Sequence, residues 1–332
     1  MKIRVDPDVE GQRLDKALTA YLPWRSRTSI HRLIGEGRVS LRGVPARPAM
    51  RVHAGDVVRI EIPAQPPARP VPDLPADLPL IYEDRWMVAV NKPAGLAVHP
   101  AGRTLSGTLI HRLHERYRRP GDPEQDVVPR LLHRLDRETS GVIAVGLEER
   151  FQGLVGRQFE DREVSKTYLA VVHGRPDPAE GTIDFGIGPA RRSAVRLKLE
   201  ARRDGSGLPA LTRYRVCRSA GDLSLVELVP RTGRTHQLRV HMAALGHPLV
   251  GDKIYGPDED LFLANLEGRL TDEGRARLVL DRHALHNFRL TLWHPFAERS
   301  LTLEAPMPAD MAQLVPGSAG NGAAANASGA AE

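Results

Sequence analysis

Apolar side chains recur at two different periods in the first sixty residues. Helical spacing occurs twice, at Leu14, Ala17, Leu18, Tyr21 and Leu22 in one segment and at Ile30, Leu33 and Ile34 in the next. Pro23 ends the first helix, and Ser26 is a suitable N-cap for the second, which Gly35 ends. Alternation over residues 58–62 then predicts a strand. The pattern therefore predicts a small αβ module over residues 1–64.

Two stretches lack any periodic pattern and separate or end the predicted domains. Seven prolines lie between residues 63 and 79. Because proline cannot pair in a sheet and favours extended chain, residues 65–79 are predicted to form a semi-rigid linker. From Gly317 onward the chain is nearly all Gly, Ala, Ser and Asn, which predicts a disordered tail over residues 314–332. A second domain is left between them, over residues 80–313.

The apolar runs of the second domain are short and typical of strands. The predicted strands are Met87 to Val90, Val142 to Val145, Tyr168 to Val172, Leu223 to Val229 and Leu285 to Leu292. The predicted helices are Leu105 to Tyr117, Arg150 to Phe159 and Thr235 to Leu245. Because strands outnumber helices without regular alternation, the fold class is predicted to be α+β rather than doubly wound. Residues 257–281, rich in Asp, Glu and Arg, interrupt this pattern.

The residues from His133 to Gly141, His-Arg-Leu-Asp-Arg-Glu-Thr-Ser-Gly, are the strongest candidate for a reactive site. They place one carboxylate, Asp136, among turn-forming residues just before the buried strand that starts at Val142. An acid at the mouth of a strand, beside small residues, leaves room for a ligand. On spacing alone, a surface turn with a weak Asp136–Arg134 ion pair explains the run equally well.

Charge is distributed unevenly along the 332 residues. The net charge is +6. Residues 1–62 contain 12 Lys+Arg against 7 Asp+Glu, whereas the rest of the chain is nearly balanced. Basic surface favours polyanions because binding a phosphate backbone releases condensed counterions. The N-terminal module is therefore predicted to contact nucleic acid.

Several reaction classes find no support in the sequence. No phosphate loop of the form Gly-x-x-x-x-Gly-Lys and no Cys-x-x-Cys pair is present. His236 and His241 fall on different faces of a helix, so we expect no metal, and no cofactor is implied. Cys217 follows apolar Tyr214 and Val216 and is predicted to be a core thiol.

The expected compartment is the cytoplasm. A single cysteine excludes an internal disulfide and fits a reducing environment. The start of the chain has no apolar core region typical of a signal peptide, and no run approaches the roughly 18 apolar residues that would span a membrane. We therefore expect no contact with a membrane.

The run from His133 to Gly141 resembles the catalytic-loop signature of the RluA-type pseudouridine synthases, His-Arg-Leu-Asp-x-x-Thr-Ser-Gly. Four further segments resemble that family in the same order: Asn91 to Gly95 followed by Val98 to Pro100, Ser165 to Ala170, Gly233 to Met242, and Gly246 to Asp252. The resemblance covers nearly everything from residue 12 to about residue 312. It implies a mixed, largely antiparallel sheet with helices beside a central cleft.

The resemblance also implies roles for individual residues. Asp136 is the essential catalytic acid, acting at the ribose carbon or removing a neighbouring proton. Tyr168 stacks on the target base and accepts its C5 proton, although a strand tyrosine is usually part of a core. Arg239 pairs with Asp136, and Arg234 in the same motif is the alternative partner. Arg134 enters the space that the extracted nucleotide leaves.

Two further residues of the matching motifs are each compatible with two roles. Lys92 is a candidate phosphate contact, and otherwise it shapes the cleft. His133 is a candidate hydrogen-bonding group within the catalytic loop, with a structural role equally plausible. Both are counted among the predicted substrate-binding residues.

The N-terminal module resembles the S4 RNA-binding domain, because arginines lie along its second helix. These residues, predicted to contact RNA, are Arg25, Arg27, Arg32 and Arg38. The alternative is a small module whose polar face is merely solvated. The order of S4 domain and linker, with Arg282 to His286, looks closest to the RluD-like branch, which modifies large-subunit ribosomal RNA. The expected partner is therefore that RNA, or its precursor, and the protein is expected to be a monomer.

Two other functions compete with this interpretation. A non-catalytic RNA-binding ribosome-assembly factor would not require Asp136, Tyr168 and Arg239 together. A nucleoside or glycoside hydrolase would usually place a second carboxylate opposite the first, and Asp252 is the candidate within the matching motifs.

Overall fold

The computed structural model describes residues 1–22, 27–61, 78–101, 104–119, 126–256 and 258–317. The chain divides into two compact units, one formed by residues 1–69 with 100–104 and the other by residues 70–99 with 105–332. The predicted linker over residues 65–79 lies mostly outside the described residues and stays a prediction. Leu78, however, packs against the core of the second unit, so that core begins inside the predicted linker. Among the described residues, no helix is long and apolar enough to cross a membrane.

The first unit has the helix–helix–strand order that the sequence predicts. Its elements are β1 (Lys2–Arg4), a short 3-10 helix (Pro7–Val9), α1 (Leu14–Tyr21), α2 (Arg27–Gly35), β2 (Val39–Leu41), β3 (Val44–Pro45) and β4 (Val57–Ile60). The four strands form an antiparallel sheet in the order β1-β4-β2-β3. The periodic residues Leu14, Leu18 and Ile30 are at most 1% exposed, so the helices bury the faces that their spacing indicated.

A buried carboxylate joins the two helices of this unit. Asp15 on α1 is fully buried, and its Oδ2 accepts a hydrogen bond from Arg27 Nη2 at 2.6 Å and lies 2.8 Å from His31 Nε2. Arg13 Nε donates to its other oxygen at 3.0 Å. The hydrogen bond from Arg13 is the main reason that the pKa of Asp15 lies well below its usual value.

The second unit is built on twelve strands and six helices within the described residues. The strands are β5 (Leu80–Glu83), β6 (Met87–Lys92), β7 (Arg130–Leu131), β8 (Ser140–Gly146), β9 (Ser165–His173), β10 (Glu180–Ile183), β11 (Gly186–Pro189), β12 (Leu199–Arg202), β13 (Thr212–Ala220), β14 (Leu223–Pro230), β15 (Leu285–His294) and β16 (Arg299–Glu304). The helices are α3 (Leu109–Tyr117), α4 (Glu149–Glu160), α5 (Gln237–Ala244), α6 (Asp260–Leu266), α7 (Asp272–Leu278) and α8 (Ala309–Leu314).

Ten of these strands form one sheet, and β11 pairs with β12 in a separate hairpin. The main path is β10-β13-β14-β9-β15-β8-β6-β5, with β16 beside β15 and β7 beside β8. Every pairing in it is antiparallel except that of β8 with β15. The predicted α+β class with a mixed, largely antiparallel sheet is confirmed. Each residue of β8 is buried, as its unbroken apolar run from Val142 to Val145 implies.

Some predictions from the sequence need correction. Cys217 is exposed rather than a core thiol, because it lies on the opposite face of β13 from buried Tyr214, at a bulge in the pairing with β14. At the C-terminus, Leu314 ends α8 and Val315 is fully buried, so ordered chain continues past the predicted boundary at residue 314. The rest of the predicted tail, residues 318–332, lies outside the described residues. Residues 258–281 contain the two short helices α6 and α7.

The backbones of Gly141 and Asn287 approach each other closely where β8 pairs with β15. We therefore expect Gly141→Ala to lower the stability of the protein strongly. A Cβ there would lie 2.3 Å from the backbone oxygen of Asn287, and its φ of +111° is unfavourable for alanine. Gly246→Ala is the matched control, because φ is +87° there but no atom lies within 4 Å of the added Cβ. In chemical denaturation we expect Gly141→Ala to lose roughly 2 kcal/mol more than the control. Equal losses of stability in the two variants would show that β8 and β15 can move apart at Gly141 without cost.

Candidate active site

Segments that are far apart in sequence surround one cavity of about 350 Å³ in the second unit. They are the loop before β8, the end of α4, β9, the turn between β14 and α5 with the first residues of α5, and the start of β15. The size falls within the usual range for small-molecule sites. Among the described residues that line it, Asp136 is the one carboxylate, whereas Arg134, Lys166, Arg234 and Arg239 supply positive charge.

Asp136 and Arg239 form the ion pair that the resemblance implied. Arg239 Nη1 donates to Asp136 Oδ2 at 3.2 Å, and the Asp136 side chain remains 29% exposed to the cavity. Burial alone would raise the pKa of Asp136, but the charge of Arg239, with smaller contributions from His236 and His283, holds it below the usual value. The cavity therefore contains an ionised carboxylate at neutral pH.

Arg239 is oriented by a second carboxylate behind it. Its Nε and Nη2 donate to the two oxygens of Asp252 at 2.6 and 2.8 Å, and it lies over the ring of Tyr255. Asp252 is buried and also accepts hydrogen bonds from the backbone N–H groups of Ile254 and Tyr255, each at 3.0 Å. The guanidinium is thus fixed on one side and presents its remaining nitrogen to Asp136.

These contacts decide which arginine pairs with Asp136 and whether Asp252 faces the cavity. Arg234 Nε donates to the carbonyl oxygen of Pro209 at 3.1 Å, so Arg239 and not Arg234 is the partner of Asp136. Asp252 does not line the cavity, because both its oxygens are engaged by Arg239. A hydrolase with Asp252 as the opposing carboxylate is therefore contradicted.

Tyr168 lies on β9 and lines the same cavity. It also packs against apolar side chains on the sheet. One part of its ring therefore belongs to the core, and another part faces the cavity. Its hydroxyl makes no hydrogen bond with any described residue. Burial, and then the negative charge of Asp136, raise the pKa of Tyr168 well above its usual value. The phenol is consequently protonated at neutral pH.

His133 supports the wall of the cavity rather than acting as an acid. Its Nε2 accepts a hydrogen bond from the backbone N–H of Ala144 at 3.0 Å, and its ring stacks on Phe159 at 5.0 Å. Burial, reinforced by the charge of Lys166, lowers the pKa of His133 to about 3. The imidazole is therefore neutral at neutral pH. Its contacts with Ala144 and Phe159 fit the structural role that was one of the two alternatives for it.

Lys92 was predicted as a phosphate contact, and that prediction is wrong. Its side chain is fully buried, and Nζ donates to the carbonyl oxygens of Pro93, Leu96 and Arg137 at 2.9, 2.9 and 3.1 Å. Burial lowers the pKa of Lys92 to about 7. Because its donors are taken by protein carbonyls, Lys92 holds the catalytic loop at Arg137 instead of facing a ligand.

The other side of the catalytic loop is fixed by residues that sequence reasoning did not assign. Thr139 Oγ1 lies 2.7 Å from His283 Nε2, and Ser140 Oγ lies 2.9 Å from His286 Nδ1. Between them and Asp136, Glu138 accepts a hydrogen bond from Lys253 Nζ at 2.9 Å. In the sequence, His283 and His286 lie in the segment Arg282 to His286, and Lys253 directly follows the segment Gly246 to Asp252. The loop that bears Asp136 is thus held from both ends.

Two histidines of the α5 motif have separate surroundings, as their spacing indicated. His236 Nε2 lies 3.9 Å from Asp136 Oδ2, and burial lowers its pKa to about 4. His241 is buried beside Thr212, with its Nδ1 2.9 Å from the threonine hydroxyl. Among the residues with a described placement, no cluster of three potential metal ligands occurs.

The predicted RNA-binding arginines fall into three groups. Arg25 lies outside the described residues. Arg27 is 58% exposed but bonded to Asp15, so part of its role is to join α1 and α2. Arg32 and Arg38 are 72% and 39% exposed and share Glu36 as their ion-pair partner. In the second unit, Arg134 is exposed at the rim of the cavity.

Comparison with known proteins identifies the family of the chain. The RNA pseudouridylate synthase family profile matches residues 86–244, and the S4 domain profile matches residues 12–58. The chain is 34% identical to "Ribosomal large subunit pseudouridine synthase D" of Zymomonas mobilis, over 94% of this chain and 96% of that protein. A protein of the same name from Neisseria meningitidis is 35% identical over 94% and 80%.

A solved structure shows the same fold. "Human RNA Pseudouridylate Synthase Domain Containing 1" superposes with a TM-score of 0.55 and 31% sequence identity. The match covers 72% of this chain and 86% of the human chain. The catalytic unit is therefore of the pseudouridine synthase type.

The buried position of Asp252 predicts that Asp252→Asn will be strongly destabilising. The amide keeps one acceptor for Arg239 but removes the charge that balances the buried guanidinium. We expect a loss on the order of 3 kcal/mol in the free energy of unfolding, measured with denaturant. Asp204→Asn is the control, because the Asp204–Arg191 pair is 2.9 Å long but roughly half exposed on both sides. A stability equal to that of the control would mean that Arg239 does not depend on Asp252.

An ionised acid, its guanidinium partner and a tyrosine share one cavity, and the chain matches a family of known chemistry over almost its full length. The chain belongs to the RNA pseudouridine synthases, carries an S4 domain at its N-terminus, and isomerises uridine to pseudouridine in RNA.

Proposed function

We propose that the substrate is a uridine of large-subunit ribosomal RNA or of its precursor. Two near full-length relatives are named for that RNA, and residues Arg282 to His286 resemble the same branch of the family. The excess positive charge of residues 1–62 supports a structured RNA as the partner. Single-stranded loops and junctions expose uridines that A-form helices hide, so the target is expected in such a region.

Asp136 is proposed to act at the ribose. The reaction breaks the C1′–N1 bond, turns the base and forms a C1′–C5 bond, while the proton lost from C5 is matched by one gained at N1. A carboxylate can attack C1′ or remove a neighbouring proton, and both roles require the ionised form that Arg239 maintains. The Asp136–Arg239 contact at 3.2 Å is the observation that carries this proposal.

Tyr168 is proposed to stack on the extruded base. Its position on the cavity wall supports this role, since a flipped base needs a surface to replace its lost stacking. Its raised pKa restricts the second predicted role. The phenol would first have to transfer its own proton before it could accept the one at C5. Arg134, exposed at the cavity rim, is proposed to fill the space left in the RNA.

Further parts of the proposal concern the protein as a whole. Residues 1–64 are proposed to be the RNA-binding S4 domain and residues 65–77 a linker, and the catalytic domain is proposed to extend from Leu78 to at least Val315. The protein is proposed to act as a cytoplasmic monomer without a cofactor. The single exposed cysteine is consistent with a reducing compartment.

The competing function is that of an RNA-binding assembly factor without catalysis. Mapping pseudouridines in large-subunit RNA from a strain that lacks the protein separates the two. Loss of one or more pseudouridines identifies the target and supports the enzyme. An unchanged map, with ribosome assembly impaired, would instead favour the assembly factor.

Asp136→Asn is expected to abolish catalysis while RNA binding stays nearly intact. The amide cannot attack C1′ or accept a proton, yet it fills the same space beside Arg239. Release of tritium from C5-labelled uridine in the RNA measures the reaction, and filter binding measures affinity. Asp222→Asn, a change of the same kind at an exposed turn, is the control. Tritium release by Asp136→Asn at the rate of the control would exclude Asp136 as the reacting group.

The S4 domain is expected to bind RNA through its exposed arginines. Replacing Arg32 and Arg38 by glutamine should make the slope of log affinity against log salt less negative by roughly 1.5, since each lost phosphate contact removes about 0.7 to 0.9. Arg269→Gln with Arg275→Gln is the control, because these exposed arginines also pair with acidic neighbours. If both double variants shift the slope equally, the effect reflects net charge and not an S4 contact.

A further inference from the structure

Lys166 is a cation in the cavity for which no residue in the described part of the chain supplies a counterion. It lies on β9, two residues before Tyr168, and lines the cavity. Its ammonium makes no hydrogen bond and no ion pair with any residue that the structure describes. The family motif Ser165 to Ala170 contains it, but the roles considered so far do not use it.

The surroundings of Lys166 favour an anion rather than a solvated charge. Its Nζ lies over the ring of Phe159, 5.5 Å from the centroid, and burial lowers its pKa. His133, which stacks on the same ring, is neutral and offers no compensation. A desolvated ammonium without a partner is costly, and a ligand anion would remove that cost.

The space next to the ammonium is open. A Cβ added at Gly233 would lie 4.0 Å from Lys166 Nζ, so the glycine leaves the approach to the ammonium free. Gly233 is exposed and lines the cavity, which places this opening at the mouth. Asp136 is paired with Arg239 and is not within ion-pair distance of Lys166.

We propose that Lys166 binds a backbone phosphate of the target nucleotide and thereby seats the ribose against Asp136. The inference rests on the proposed function, because it assumes that the cavity receives an RNA nucleotide. The 5′ and the 3′ phosphodiester present the same chemistry, and the experiment below separates them. Lys166 is a binding residue in this scheme and takes no part in bond breaking.

The first experiment compares Lys166→Met, Lys166→Arg and Lys198→Met on an in-vitro transcript of large-subunit RNA labelled with C5-tritiated uridine. Methionine keeps the apolar contact with Phe159 but loses the charge. Lys198→Met removes the same charge from the same unit, where the ammonium is already bound by Glu259 at 2.9 Å. Tritium release is measured as kcat and KM over a range of salt concentrations.

Lys166→Met is expected to raise KM roughly tenfold at low salt, in keeping with loss of one charged hydrogen bond. The slope of log kcat/KM against log salt should become less negative by about 0.7, the value for one contact with a single strand. Lys166→Arg should restore both, and Lys198→Met should change neither. A fall in kcat with unchanged KM and salt slope would overturn the proposal.

The second experiment changes the RNA, and its wild-type measurement does not depend on the folding of any variant. Once the target uridine is mapped, short RNA substrates carry a neutral methylphosphonate at its 5′ side, its 3′ side or several nucleotides away. Wild-type enzyme should lose affinity for one flanking substitution only, and Lys166→Met should be insensitive to that same substitution. Equal sensitivity of both proteins at every position would refute the phosphate contact. If wild-type enzyme releases no tritium from any RNA, the proposed substrate is wrong, which is a different failure.

Discussion

The site depends on one guanidinium shared between two carboxylates. Arg239 uses Nε and Nη2 for buried Asp252 and is left with Nη1 for Asp136. The two-point contact with Asp252 fixes the plane of the guanidinium, so the position of Asp136 is fixed as well. The arrangement also keeps Asp136 ionised, although burial alone would favour the neutral acid. Nucleophilic attack and proton abstraction both require that ionised state.

Long-range contacts hold the loop that bears Asp136. Lys92 binds the carbonyl oxygen of Arg137 from one side, and His283 binds Thr139 from the other. Directly afterwards the loop enters β8, which is buried at every residue and pairs in parallel with β15 at Ser140 and Gly141. Three segments far apart in sequence must therefore be in place before Asp136 meets Arg239. The position of Asp136 relative to Arg239 therefore depends on contacts across the sheet and not on the conformation of the loop alone.

The sequence predicted the elements with strong periodicity and missed those whose position depends on tertiary contacts. The apolar run from Val142 to Val145 led directly to β8, whereas β11 and β12 lack such a pattern and depend on pairing with each other and on the bridge between Ile187 and Leu208. Motif resemblance supplied Arg239 but could not separate it from Arg234, since only the fold shows which one reaches Asp136. Lys92 was misjudged because a lysine is rarely fully buried, and the three carbonyls that satisfy it come from a loop and a distant turn.

The balance of charge in the cavity indicates how RNA binding offsets the cost of extruding a base. Removing a base from its stack costs a few kcal/mol, and stacking on an aromatic ring returns roughly 1–3 kcal/mol, so the stacking proposed for Tyr168 would about restore what is lost. Net affinity must then come from phosphates. The cavity contains one carboxylate, which shares the charge of Arg239 with Asp252, and further cations. Among these cations, Arg134 and Lys166 have no ion-pair partner among the described residues. The proposed phosphate contacts would pair these cations only when the RNA backbone is present, and they would therefore favour the flipped nucleotide over the empty site.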